Sequence, residues 1–386
     1  MFIIFNEAVA KAMREVPSKS KELTLTATAD NSSVALKKVG TVNNTYEYKL
    51  NNGAWTSYTL TTSGVVIPLN AGDKIQWRCT NRPTTFRPSV CVQFVMTGKI
   101  EASNPVTSMV LYALDPSSLG GYQYACYALF RDCTALIKAP ELPAATLTTA
   151  CYLNMFSGCT SLTQAPVLPA TTLASLCYQG MFQGCTSLTQ APALPSTTLA
   201  RSCYYQMFQG CTSLTQAPAL PATALGDACY GHMFQGCTSL TQAPALPALS
   251  IPDSSLNGTA VFGCYVSMFE GCTSLVQAPA LPATTLGGAC YGHMFYGCTS
   301  LVQAPALPAT TLTFYCYAGM FVGCTSLNEI RVSATDVSAN RCTMNWTSNV
   351  STTGDFWCDP NVTWATGVSG IPQGWTRHDI ADYPQT

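Results

Sequence analysis

Charge is what this 386-residue chain has least of: Lys, Arg, Asp and Glu make up 10% of it. From Thr134 to Asn328 only Lys138, Glu141, Arg201, Asp227, Asp253 and Glu270 are charged. General acid–base catalysis needs positioned titratable groups, and that stretch nearly lacks them. There are three histidines, and the cysteines never form a CxxC pair. Zinc sites want close-spaced ligand pairs, so a metal centre is disfavoured. Phosphate-binding loops and nucleophile elbows are missing from the sequence as well. The inventory predicts a protein that is not an enzyme and needs no cofactor. No block of like charge occurs, which gives nucleic-acid binding little support. No apolar run reaches the roughly 18 residues of a membrane span. Met1–Phe5 is too short for a signal-peptide core and has no basic residues before it, so export by the usual route is not expected.

Hydrophobic residues make up 47% of the chain, which excludes a disordered polymer. Length alone predicts more than one structural unit. Residues 1–100 hold twelve Lys/Arg and six Asp/Glu, and the remainder holds six and thirteen. The basic excess of the first part would favour an acidic protein partner or be simple solvation.

The dominant feature is a repeat. The unit CYxxMFxGCTSLTQAPALPATTLAxx places its first cysteine at Cys126, Cys151, Cys177, Cys203, Cys229, Cys264, Cys290 and Cys316. The spacing is 26 residues, except 25 after the first copy and 35 between Cys229 and Cys264. In the third unit, Ser187–Ala191 reads as a short strand that Pro192 ends. Cys177–Phe182 fits one or two turns of helix or 3₁₀-helix, and Gly184 suits a left-handed helix terminus. No unit can bury its Leu, Cys, Met and Phe alone, so stacked units are expected, forming a solenoid roughly 40 Å long. Buried free cysteine behaves as a small hydrophobe, so the twenty cysteines read as structural thiols. Cys79–Cys91 and Cys342–Cys358 are the pairs that invite suspicion as disulfides.

Around the repeats, Asn6 caps a candidate helix over Glu7–Val16, with Val9, Met13 and Val16 on one side. With Phe2, Ile3, Ile4 and Phe5 before it, this segment reads either as a particle-anchoring peptide or as a lid on the next domain. Leu23–Ala29, Tyr46–Leu50, Val65–Leu69, Lys74–Cys79 and Val90–Met96 read as strands of a small sandwich, with a hairpin turn at Asn51-Asn52-Gly53. Four of six tryptophans fall in the last 41 residues, consistent with a terminal cap. The expected organisation is an anchoring helix and linker (1–21), a β-sandwich (22–100), a connector and N-terminal cap (101–125), a solenoid (126–341) and a C-terminal cap (342–386).

Three surfaces offer themselves for binding. The Gln164, Gln190, Gln216, Gln242, Gln277 and Gln303 column reads first as a self-satisfied amide ladder, or else as repeated amides for sugars or a peptide edge. The tyrosines after each first cysteine read as half-buried packing with wet hydroxyls, or as an exposed stacking stripe. The third surface is where the copies disagree, at Arg201, Tyr205, Asp227, His232, Glu270, His293, Tyr296, Phe314 and Tyr315. Variation there implies side chains free of stacking constraint. The extra residues around Leu249–Ala260 read as a protruding loop.

The repeat, as in Cys151–Cys159 followed by Ser161–Pro169, resembles the leucine-rich repeats of BspA-like surface proteins. The segments 69–74, 94–100 and 370–375 are similar to sequences of Bacteroides-type bacteria and their phages. The resemblance implies a strand-plus-helix leucine-rich-repeat fold and an adhesin. With no export signal recognised, the expectation is a phage virion or tail protein, assembled in the host cytoplasm. Its N-terminal region would hold a virion protein, its repeats would hold a host glycan or surface protein, and a homo-oligomer is compatible with the sequence. A bacterial cell-surface adhesin and a purely structural virion decoration protein are the alternatives.

Overall fold

The computed structural model describes residues 22–81, 87–109, 117–119, 121–252 and 263–384. The candidate helix over Glu7–Val16 and the anchoring side chains Phe2, Ile3, Ile4, Phe5, Val9 and Met13 lie outside the described residues, as does most of the inserted loop.

Alternating apolar residues at the start of the chain build two facing sheets. The strands are β1 (Leu23–Ala27), β2 (Ser32–Val39), β3 (Tyr46–Leu50), β4 (Thr56–Tyr58), β5 (Ile67–Leu69), β6 (Lys74–Cys79), β7 (Cys91–Thr97) and β8 (Ile100–Ser103). One sheet runs β4-β3-β6-β1-β8 and continues into β9 (Leu136–Lys138); the other runs β5-β2-β7. Strand β2 has no counterpart in the sequence reading. Its Lys37-Lys38 pair interrupts the apolar alternation, yet it pairs with β7 over seven residues. Trp77, fully buried, packs edge-on against Tyr58 and Phe94 at ring separations of 4.9 and 5.5 Å.

The sandwich runs without a break into the repeats. Phe94 of β7 stacks on Phe130 at 5.1 Å, and the Cys133 thiol donates to the Phe94 carbonyl. Strand β8 pairs in parallel with β9, which lies in the first repeat. Strands β7 and β8 thus present the first repeat with the surface that each repeat presents to the next.

The repeats are not built as expected. Among the described residues there is no α-helix, and the helical content is two short 3₁₀ turns, Val106–Met109 and Ile380–Asp382. The expectation of a helix-bearing leucine-rich-repeat solenoid is therefore overturned. The segment read as helix is a run of overlapping turns whose amides point alternately inward and onward. Cys177, Gln179, Met181, Gln183 and Cys185 donate to carbonyls three residues back. Tyr178, Gly180, Phe182 and Gly184 donate instead to Cys203, Tyr205, Met207 and Gln209 of the following unit. An α-helix would commit every amide to its own segment; here half of them join one unit to the next.

Backbone conformation follows from this alternation. Every second turn holds its third residue at positive φ, as a type II turn requires. In the third unit these residues are Leu176, Gly180 and Gly184, at 62°, 58° and 71°. The last column is glycine from Gly158 through Gly323, but the other two are not, and Gln206, His232 and His293 sit at 56°, 55° and 56°. A left-handed L-residue costs about 1–2 kcal/mol, which the inter-unit hydrogen bond at the same residue offsets.

Inside the stack the side chains form continuous columns. Phe156, Phe182, Phe208 and Phe234 are fully buried and stack at 5.6 to 5.7 Å. The Tyr column is fully buried too, from Tyr152 to Tyr317, so for those residues both the half-buried reading and the exposed-stripe reading fail. The Tyr152 and Tyr178 hydroxyls have no hydrogen-bond partner among the described residues. Each second-column thiol donates across units: Cys185, Cys211 and Cys237 reach the Phe156, Phe182 and Phe208 carbonyls at 3.1 Å. All twenty cysteines are free and buried, so Cys79, Cys91, Cys342 and Cys358 form no disulfides. At the far end Trp346 stacks under Tyr317 and against Trp364, at 6.2 and 5.7 Å. A parallel sheet of β10 (Glu329–Arg331), β11 (Asp355–Cys358) and β12 (Thr376–Asp379) follows the last repeat.

Candidate binding face

The left-handed residue in the middle of each turn run directly precedes the buried Met and Phe, and at this position His232 is half-buried and His293 exposed. The residue three positions later, just before the column glycine, lies next to it on the same face. Successive units therefore lay down two adjacent columns. One reads Asn154, Gly180, Gln206, His232, Ser267, His293, Gly319, and the other Ser157, Gln183, Gln209, Gln235, Glu270, Tyr296, Val322. Together they form a strip along the stack.

Hydrogen bonds organise the first part of this strip. The Gln183 amide donates to the Gln209 carbonyl oxygen, and the Gln209 amide donates to that of Gln235. The Ser157 hydroxyl reaches Gln183 at 3.5 Å. An amide ladder thus exists, but in this column; the Gln164–Gln303 column is joined by backbone bridges, with exposed side chains. Sequence reasoning missed Gln183, Gln209 and Gln235 as a unit. Their signal was the same amide in three consecutive copies, directly before a glycine.

Beyond the ladder the strip carries rings and charge. His232 Nδ1 lies 3.1 Å from Gln235 Oε1, and its ring meets Tyr205 edge-on at 5.3 Å. Burial pulls the His232 imidazole below the usual histidine range; Gln235 and the Glu270 carboxylate oppose that, and His293 adds to it. Burial likewise raises the Tyr205 phenol. His293 is exposed, 6.0 Å ring to ring from Tyr296, which is 42% exposed. Glu270 is half-buried between the two histidine-bearing units.

The variable side chains are not free of stacking constraint, which corrects the sequence reading. A β-carbon on Gly319 would come within 2.5 Å of the His293 ring, and one on Gly231 within 2.9 Å of the Tyr205 ring. One on Gly180 would meet Asn154 Oδ1 at 2.1 Å. A large residue in one copy therefore leans over a glycine in the next. Part of the disagreement between copies is this large-on-glycine complementarity.

The remaining candidates lie apart from the strip, where each turn run opens. Arg201 and Phe314 are exposed, and Asp227 is half-buried. Phe314 packs edge-on against Tyr315 at 4.3 Å, and the Arg341 guanidinium donates to the Tyr315 hydroxyl. The structure thus gathers His232, Glu270, His293 and Tyr296 on one strip, sets Tyr205 against it at His232, and leaves Arg201, Asp227, Phe314 and Tyr315 outside it. No group of three metal-ligating side chains occurs among the described residues, and no described helix is long and apolar enough to cross a membrane.

Comparison with protein-family models, with curated proteins and with solved structures gives no match to this chain.

Proposed function

We propose that this protein is a non-enzymatic attachment protein of a phage virion or tail, presenting the outer strip of its stacked repeats to a host glycan or surface protein. The observation that carries the reading is the strip itself: polar and aromatic side chains that differ from copy to copy, mounted on a scaffold whose inner columns barely change. A rigid support under a diverse surface is what recognition requires. The bacterial and phage resemblance of the repeat supports the setting. So do the twenty buried free thiols, since a chain so rich in thiols folds most safely in a reducing compartment such as a host cytoplasm. The N-terminal region would hold the particle.

Two measurements test this. Immunogold labelling of purified virions with antibody to the full chain is expected to decorate particles; the same label confined to uninfected bacterial cells would favour a cell-surface adhesin of the bacterium instead. Full-length protein is expected to bind host cells, with loss on combined Tyr205→Ala, His293→Ala and Tyr296→Ala substitution. Labelled particles whose protein binds no cells would leave a structural decoration role.

A further inference from the structure

We infer that the strip takes an uncharged, linear glycan laid along the stacking direction, with Tyr296 as the platform for one sugar ring; this rests on the attachment reading above and names the ligand class of that same strip. Four observations converge on it.

The strip is linear and periodic. Each unit advances by about one strand spacing, roughly 4.8 Å, and a β-linked sugar residue advances its chain by a comparable distance. A polymer along the strip therefore meets an equivalent pair of positions at each step, without the bend that a folded protein epitope demands.

Its chemistry is that of hydroxyl recognition. Within the ladder Gln183 and Gln209 each donate one amide N–H to the next residue, and Gln235 accepts from Gln209. That leaves Gln183 and Gln209 a second amide N–H each and Gln235 both of its own, while the Gln235 oxygen also faces His232 Nδ1. Farther along, Glu270 and the two imidazoles His232 and His293 continue the same line with acceptors and donors.

The charge matches a neutral ligand. Glu270 is the one formally charged side chain in the two columns from Asn154 to Val322, with His232 held toward its neutral form by burial. A polyanion finds no lysine or arginine in these seven copies and meets the Glu270 carboxylate; in the copy before them, Arg131 is paired with Asp132 at 3.5 Å.

The strip has a step. At Tyr296 a ring stands exposed, and in the next unit the two positions fall to Gly319 and Val322. An amphipathic ring beside a step suits stacking on the apolar face of a pyranose. His293, leaning over Gly319, closes the other side of that step.

The test is binding of the full-length protein to immobilised polysaccharides: a neutral β-glucan, a mannan and a galactan, with polygalacturonate and alginate as acidic counterparts. Retention by at least one neutral polymer and by neither acidic one is expected. Tyr296→Ala is expected to weaken that retention about tenfold, the equivalent of about 1.4 kcal/mol. Gln209→Ala should weaken it less, and Thr299→Ala, in the exposed threonine column before the strand segment, should leave it unchanged. Circular dichroism and thermal melts confirm that each variant is folded; for a misfolded Tyr296→Ala, Tyr296→Phe is used, and retention near the parent level is expected. Stronger retention by the acidic polymers, or neutral retention indifferent to Tyr296, overturns the inference. The attachment reading is separated by host-cell binding: cells that keep binding the protein after periodate oxidation of their glycans, and lose it after protease, sink the glycan while leaving attachment intact. Cells that never bind sink both.

Discussion

The sandwich and the stacked repeats share one buried core but are held together by different bonds. In the sandwich, strands far apart in sequence satisfy each other through antiparallel ladders, as β1 does between β6 and β8. In the repeats each turn satisfies half its amides locally and passes the other half to the next copy. A sandwich residue is thus chosen by its own surroundings, whereas a repeat residue is chosen with its neighbours in the column. The second arrangement tolerates left-handed residues and unpartnered tyrosine hydroxyls that an isolated turn would not, because the column fixes them from both sides.

The largest effect is expected from cutting a column. Phe208→Ala removes one fully buried ring from a continuous stack, and cavity formation of this type costs about 3–5 kcal/mol. Urea unfolding of this variant is expected to lose its single transition, because the units on either side are coupled only through their neighbours. A single transition shifted by less than about 1 kcal/mol would show that the columns are not the unit of stability.

Glycine replacements sharpen the comparison. In the sandwich, Gly98 has φ 78° and a β-carbon there would fall 2.8 Å from the Ser32 α-carbon, so Gly98→Ala meets both backbone strain and collision. In the repeats, Gly210 has φ 72° but its nearest neighbour to an added β-carbon is 3.8 Å away. Gly210→Ala should therefore lose only the left-handed preference, about 1–2 kcal/mol, and Gly98→Ala should lose more. Thermal melts of the two variants, run side by side, check the order.

Alkali is expected to dissolve the repeats through their thiols. Burial pushes Cys203, Cys237 and Cys324 up to about 12, from an ordinary 9.0. A raised thiol favours the protonated, folded form, so its contribution is whole below pH 9 and fades as pH climbs through 9 toward 12. In the sandwich, burial raises Cys91 to about 11. Stability measured by denaturant at stepped pH should fall steadily above pH 9, and native thiols should resist alkylation below it. Rapid alkylation at pH 8 would contradict the buried columns.

The smallest effect concerns His232. Because burial lowers its imidazole below 6.5, the neutral form is favoured in the fold; its contribution is complete above that pH and lost as pH falls through the lower folded value. A proton NMR titration should place its midpoint below that of a model histidine, and a midpoint above it would mean that Gln235 and Glu270, not burial, govern the ring.

How much of this was legible in the sequence differs between the two regions. In the sandwich, the stretch from Lys74 to Cys79 announces itself by alternation, while β2 does not, since Lys37 and Lys38 lie together in it. In the repeats, the period and the buried identity of Leu, Cys, Met and Phe are plain from the copies alone. The conformation of Cys177–Phe182 is not. Spacing of apolar residues fits a helix there, and only the inter-unit amide bonds overrule it. The strip was half legible: variation marked Tyr205, His232, Glu270, His293 and Tyr296, and Gln183 shares the slot of Glu270 and Tyr296, but nothing showed that Gln183, Gln209 and Gln235 bond to one another, nor that large residues lean over glycines.

The sequence by itself determined that this chain stacks copies of one unit around a thiol- and aromatic-rich interior, because no copy can bury its apolar residues alone. It determined also that charged side chains are sparse along the repeats, with six from Thr134 to Asn328. Only the tertiary structure decided that the units are joined by alternating turns rather than by helices. A turn's second hydrogen-bonding partner lies in the next copy, and no local pattern of residues specifies whether an amide bonds within its own segment or across to a neighbour.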